Sequence, residues 1–81
     1  MVMMQLQTKN HVWKILTTKE HLLVQKEYKQ DGEQFWETEL TLKVEEGNTH
    51  ELYNYLTEYI DHEDFALGLT KDIWEYGKER V

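Results

Sequence analysis

The sequence predicts an α+β fold: a small antiparallel β-sheet of three to four strands, followed by two or three C-terminal helices packed on one of its faces. Three observations carry that prediction. Apolar and polar residues alternate at a period of two through the first half of the chain, apolar residues recur at helical spacing through the second, and an Asp31-Gly32 pair separates two of the alternating runs. Strands that come before helices, rather than between them, favour an antiparallel sheet with the helices gathered on one side.

The first run, residues 2–7, sets Val2, Met4 and Leu6 on one side. The second, residues 12–17, sets Trp13, Ile15 and Thr17 against Val12, Lys14 and Leu16. Residues 21–28 follow, with Leu22, Val24, Lys26 and Tyr28 in alternation. Across the Asp31-Gly32 turn, residues 34–45 form the clearest strand. Trp36, Thr38, Leu40, Leu42 and Val44 share its core face, while Phe35, Glu37, Glu39, Thr41, Lys43 and Glu45 point outward. A two-residue loop would pair Leu22 with Thr41 and Val24 with Glu39, setting apolar against polar residues. A three-residue Gln30-Asp31-Gly32 loop with Gly32 in a G1 bulge pairs Leu22 with Leu40, Val24 with Thr38 and Lys26 with Trp36, and is the register expected.

Gly47-Asn48 ends the sheet, and Asn48 with Glu51 has the spacing of a helix cap and its answering carboxylate. Leu52, Tyr55, Leu56, Tyr59 and Ile60 then form an inward stripe opposite Glu51, Asn54, Thr57, Glu58 and Asp61. A break is expected over residues 61–69, with Gly68 as a stop. Thr70 then caps a last helix, with Leu69 stapled to Trp74, Asp72 in the first turn, and Lys78 and Arg80 in the last. The whole chain is expected to form one domain, with a sheet region at 1–46 and a helical region at 48–81.

At 81 residues, a domain buries only about 60% of the surface its unfolded chain exposes, so the core is modest. With no cysteine, no disulfide or thiolate metal site supplements it, and a cytoplasmic setting is expected. The N-terminal residues Met1 to Gln5 lack the pattern of a signal peptide, and no apolar run reaches the roughly 20 residues that span a bilayer. Sixteen acids against nine bases give a net charge of −7. That balance disfavours direct contact with nucleic acid or anionic lipid and favours a basic protein surface as partner.

No catalytic centre emerges from the residues. There is no serine or cysteine nucleophile, and the four glycines stand singly rather than in a phosphate-binding loop. Glu58, Asp61 and His62 lie at helical offsets that suit a metal ion, but they lack an HExxH pattern, and Asp61-His62-Glu63-Asp64 lacks the spacing of a calcium loop. No enzyme activity, cofactor or metal is therefore expected. Residues 49–81 hold eight acids and three bases, net −5, while residues 1–48 are net −2. The candidate partner-binding residues are the acids Glu37, Glu39, Glu58, Asp61, Glu63 and Asp64, with Phe35 and Tyr53 as contact aromatics. Carboxylates spaced on a rigid scaffold bond to the lysines and arginines that otherwise grip phosphate.

In length, acidity and the order of strands before helices, the chain resembles small acidic proteins encoded by phages and other mobile elements, among them anti-CRISPR and anti-restriction proteins. The resemblance implies an inhibitor that mimics nucleic acid and blocks a basic nucleic-acid-binding site. It carries no motif from which a residue's role transfers. The alternative is a structural or self-associating housekeeping domain without catalysis, for which a homodimer is a natural form.

Overall fold

A computed structural model describes residues 2–80 of the chain and the side chains of residues 3–77. The expectations for the side chains of Val2, Lys78 and Arg80 thus lie outside the described residues. Four strands, β1 (Val2–Gln7), β2 (Val12–Thr17), β3 (His21–Gln30) and β4 (Glu33–Lys43), form an antiparallel meander in the order β1-β2-β3-β4. A 3-10 turn at Val44–Glu46 leads to α1 (Thr49–Thr57) and then to α2 (Glu63–Arg80). The α+β class and the strands-first order are as the sequence predicts.

Alternation does the structural work in the two central strands. Trp13, Ile15 and Thr17 of β2 and Leu22, Val24 and Lys26 of β3 are buried, and their neighbours on the other face are half-buried. Leu42, Leu52, Leu56, Ile60, Ala66, Ile73 and Trp74 complete the core from β4 and the helical layer. Leu40 is only half-buried at its edge.

The β3–β4 hairpin departs from the expected register. Its turn has two residues, Asp31 at φ 53° and Gly32 at φ 82°, with Gln30 opposite Glu33. Two consecutive positive φ values make the type I′ turn that suits the twist of paired strands, and Gly at the second position adopts it without steric cost. The irregularity sits further along. Gln25 opposes Thr38 and Val24 opposes Leu40, so Glu39 is an extra residue in β4, a β-bulge. One inserted residue changes the parity of the strand. Leu42 and Leu40 meet Leu22 and Val24 on the helix side, but beyond the bulge Glu37 and Phe35 meet Lys26 and Tyr28 there. Phe35, Glu37 and Glu39 therefore belong to the helix-bearing side, not the outward face, while Trp36 and Thr38 belong to the open face and not the core. Trp36 is half-buried there, beneath the Lys14 ammonium 4.1 Å from its ring centroid. Val44, expected in the strand, begins the 3-10 turn, and Glu45 is exposed within it.

The second correction concerns the helices. α1 begins where expected, but Asn48 donates to Glu46 Oε2 (3.0 Å) and makes no side-chain cap bond. α2 runs without a break through Gly68 and Thr70. Its buried stripe is Ala66, Thr70, Ile73, Trp74 and Gly77, at helical spacing but with three small members, so an apolar pattern understates it. Thr70 is 1% exposed and donates to the Ala66 carbonyl (2.8 Å), which satisfies the buried hydroxyl inside the helix rather than at a cap. Leu69 and Trp74 share this helix and form no staple across its end. Gly77 lies against β2: a Cβ there would come within 2.8 Å of Thr17 Cγ2. Among the described residues, no helix is long and apolar enough to cross a membrane.

Candidate functional site

The bulge at Glu39 places one half-buried carboxylate among tyrosines. Its Oε1 accepts a short hydrogen bond from Tyr28 Oη (2.6 Å), and longer contacts from Tyr55 Oη (3.4 Å) and Tyr59 Oη (3.5 Å). Tyr28 is the principal partner, since the other two stand beyond the usual range for O–H···O bonds. Tyr55 Oη in turn accepts from the Trp13 indole (3.0 Å), which satisfies the polar end of a fully buried tryptophan.

Around this carboxylate the rings form two groups, with Lys26 between them. Tyr59 meets Trp13 edge-on at 5.7 Å, His11 at 5.0 Å and Tyr55 at 5.2 Å, and Tyr28 stacks on Phe35 at 5.7 Å. Lys26, 7% exposed, sends its ammonium between rings, 4.1 Å from the Tyr28 centroid and 5.5 Å from that of Tyr59. Ring faces thus hold a desolvated cation, which is where such contacts are strongest. The hydrogen bond to Glu39, above all, and then partial burial hold the Tyr28 hydroxyl above the ordinary tyrosine range. Burial, followed by the nearby Glu39 charge, does the same to Tyr55, although its bond from Trp13 acts in the opposite sense.

Several exposed acids of the chain also stand near the cluster, at one end of the molecule. Tyr59, just past α1, touches both His11 in the β1–β2 turn and Glu39 in β4. Gly77, near the far end of α2, packs on Thr17 at the opposite end of β2. The turn from α1 to α2 therefore lies at the His11 end of the sheet. Exposed Glu58 and Asp61 flank Tyr59 and Ile60 there, Glu63 and Asp64 open α2, and Glu37 is exposed on β4. Of these acids, Glu63 and Asp64 have a structural reason for their place, because the first turn of a helix favours negative charge. His62 adds its Nδ1 as acceptor for the Phe65 amide (3.4 Å). Glu58, at the C-terminal end of α1, has no such support from its helix.

Phe35 is 37% exposed and borders a shallow hollow with Gln30, Asp31 and Glu33 at the hairpin tip. Tyr53 is separate from the other candidates: it lines a groove of about 400 Å³ between the helices, with Thr49, His50, Leu67, Thr70 and Lys71. The sequence reading missed Tyr28, Tyr55, Tyr59 and Lys26 as one cluster with Glu39, having assigned the helical tyrosines to the apolar stripe. One part of the signal existed, since tyrosine hydroxyls on an inward stripe need an acceptor, but the even alternation of residues 34–45 gave no sign that Glu39 supplies it.

Among the described residues, no group of three His, Asp or Glu side chains is arranged to hold a metal ion. No protein family matches the sequence, and no curated protein and no solved structure is significantly similar to it.

Proposed function

We propose that this chain is a non-catalytic protein-binding module, acting in the cytoplasm, whose acidic end engages lysine and arginine side chains of a basic partner surface. The observation that carries the reading is the convergence of Glu37 and Glu39 from β4 with Glu58 and Asp61 from the α1–α2 turn, around one aromatic cluster. Exposed Phe35 adds apolar area beside the carboxylates of β4. A surface of this kind competes with nucleic acid for a phosphate-binding groove. An inhibitor that mimics nucleic acid, as phages and mobile elements encode, is the specific form proposed.

The test uses Glu37→Gln, Glu58→Gln and Asp61→Asn together, which spares the two acids that support α2. Binding to an arginine-rich nucleic-acid-binding domain is followed kinetically, at rising salt and with double-stranded DNA as competitor. Association is expected to slow several-fold in the variant, to slow with salt in the parent, and to be competed by DNA, because charge steering acts mainly on the on-rate. Equal rates for parent and variant at every salt concentration would remove this reading.

A further inference from the structure

The sheet has two edges, and they are finished differently. Among the described residues, β1 pairs with β2 alone and β4 with β3 alone. An open strand edge is a template for pairing with another chain, and charge or a bulge discourages it. The β4 edge has both: Glu33, Glu37 and Lys43 are exposed on it, and Glu39 bulges from its ladder. The β1 edge has neither. β1 carries no ionisable side chain, unlike the other three strands, and its ladder with β2 is regular from Val2 to Gln7.

The core also stops short at this edge. On the helix side, Met4 pairs with Ile15 and Leu6 with Trp13. Ile15 and Trp13 are fully buried, whereas Met4 and Leu6 are only half-buried against the core. α2 lies over β1 and β2, while Tyr55 and Tyr59 on the α1 side reach Glu39 of β4. Leu67 and Lys71 of α2 line the groove toward α1. Residues two positions apart lie about 160° round a helix, so Phe65 and Leu69 stand on the other flank of α2, toward the β1 edge. Leu69 is half-buried there and Phe65 is 54% exposed.

We infer that the β1 edge is the contact between two copies of the chain, whose β1 strands pair antiparallel about a two-fold axis and join the sheets into one. The strand is complementary to itself. Registers centred on Met4 or on Gln5 set even-numbered apolar residues against one another, and no ionisable residue of β1 meets its mate. α2, set over β1 and β2, then lies about 10 Å from its mate across the axis, the distance at which helices pack. Antiparallel pairing also separates the acidic ends. The acids of the α1–α2 turn lie at the Gln7 end of β1, beside His11. In either register the two Gln7 ends are offset by about 14 to 20 Å along the strands, more than the roughly 8 Å over which charge acts at physiological salt. An extended peptide of another protein offers the same backbone bonds but loses chain entropy on ordering, which a strand already held in a sheet does not. The charged and bulged β4 edge discourages a further copy, so association closes at two.

Sedimentation of the full chain over micromolar to submillimolar concentrations tests the inference. The parent is expected to dimerise. Gln5→Lys and Gln5→Glu, at an exposed position, are each expected to weaken the dimer about fivefold or more by setting like charges across the axis, with circular dichroism and cooperative unfolding retained. Mixed in equal amounts, the two variants are expected to recover the dimer. Gln25→Lys, paired with Lys14 on the open face of the sheet, is expected to dimerise like the parent. The acid-end triple variant is expected to do the same, so this inference and the proposed function fail independently. A parent that is monomeric throughout, a dimer indifferent to both Gln5 substitutions or broken by Gln25→Lys, or a mixture that stays monomeric overturns the inference.

Discussion

The two halves of the β3–β4 hairpin are built from the same alternation and do opposite things. On the near side of Glu39, Leu22, Val24, Leu40 and Leu42 meet under the helices and form core. On the far side, Lys26, Tyr28, Phe35 and Glu37 occupy the same face and form a polar aromatic surface. The difference comes from one residue. A bulge lets a two-residue turn coexist with an apolar match near the helices, and the extra residue becomes the carboxylate that the tyrosines gather around. Local strand pattern therefore states which residues alternate, but not which side each half presents.

The largest expected effect separates the halves by stability. Leu42→Ala and Leu56→Ala are each expected to cost about 2 to 5 kcal/mol by leaving cavities, and half-buried Leu40→Ala about 1 to 2 kcal/mol. Phe35→Ala in the far half should shift the denaturant midpoint by much less. A Phe35→Ala cost equal to that of Leu42→Ala would show the far half to be core as well.

A smaller effect tests the hub itself. Glu39→Ala leaves the Tyr28 hydroxyl without its acceptor, and is expected to cost about 1 to 3 kcal/mol. Chemical denaturation measures it. Loss of less than about 0.5 kcal/mol would mean that water replaces the carboxylate without penalty.

The smallest effect is visible through pH. Because Glu39 raises the Tyr28 hydroxyl above its unfolded value, the neutral form is favoured in the folded chain. The resulting stabilisation is fully present below about pH 10, the unfolded value, and is lost as pH rises through the higher folded one. Tyr28→Phe is expected to cost about 1 kcal/mol near neutral pH, reduced by solvent access to the site, and to flatten the alkaline loss of stability. An alkaline decline of the same steepness in both proteins would assign it to other groups, Tyr55 first among them.

How far the sequence could be read depended on the size of the side chains carrying each signal. The strands were legible because Trp13, Ile15, Leu22, Val24 and Leu42 are large and strictly spaced, and α1 because Leu52, Tyr55 and Leu56 recur at helical intervals, although the helix ends at Thr57, short of Tyr59 and Ile60. α2 was misread at Gly68 because Ala66, Thr70 and Gly77 carry much of its buried stripe, and small residues look like breaks when burial is judged by hydrophobicity. The acids of the α1–α2 turn were legible as a cluster. Their nearness to β4 was not.

By itself, the amino-acid sequence determined the α+β class, the limits of the four strands to within a few residues, the start of α1 and the acidic excess. All of these follow from periodicity, turn-forming residues and charge, which act over a few residues along the chain. Tertiary structure decided the side of the sheet on which Phe35, Glu37 and Glu39 stand, the continuity of α2 and the tyrosine shell of Glu39. The physical reason is that each of these is settled by competition between segments distant in the chain. The hairpin turn and the leucine pairing made incompatible demands on register, and the fold met both by letting one residue bulge.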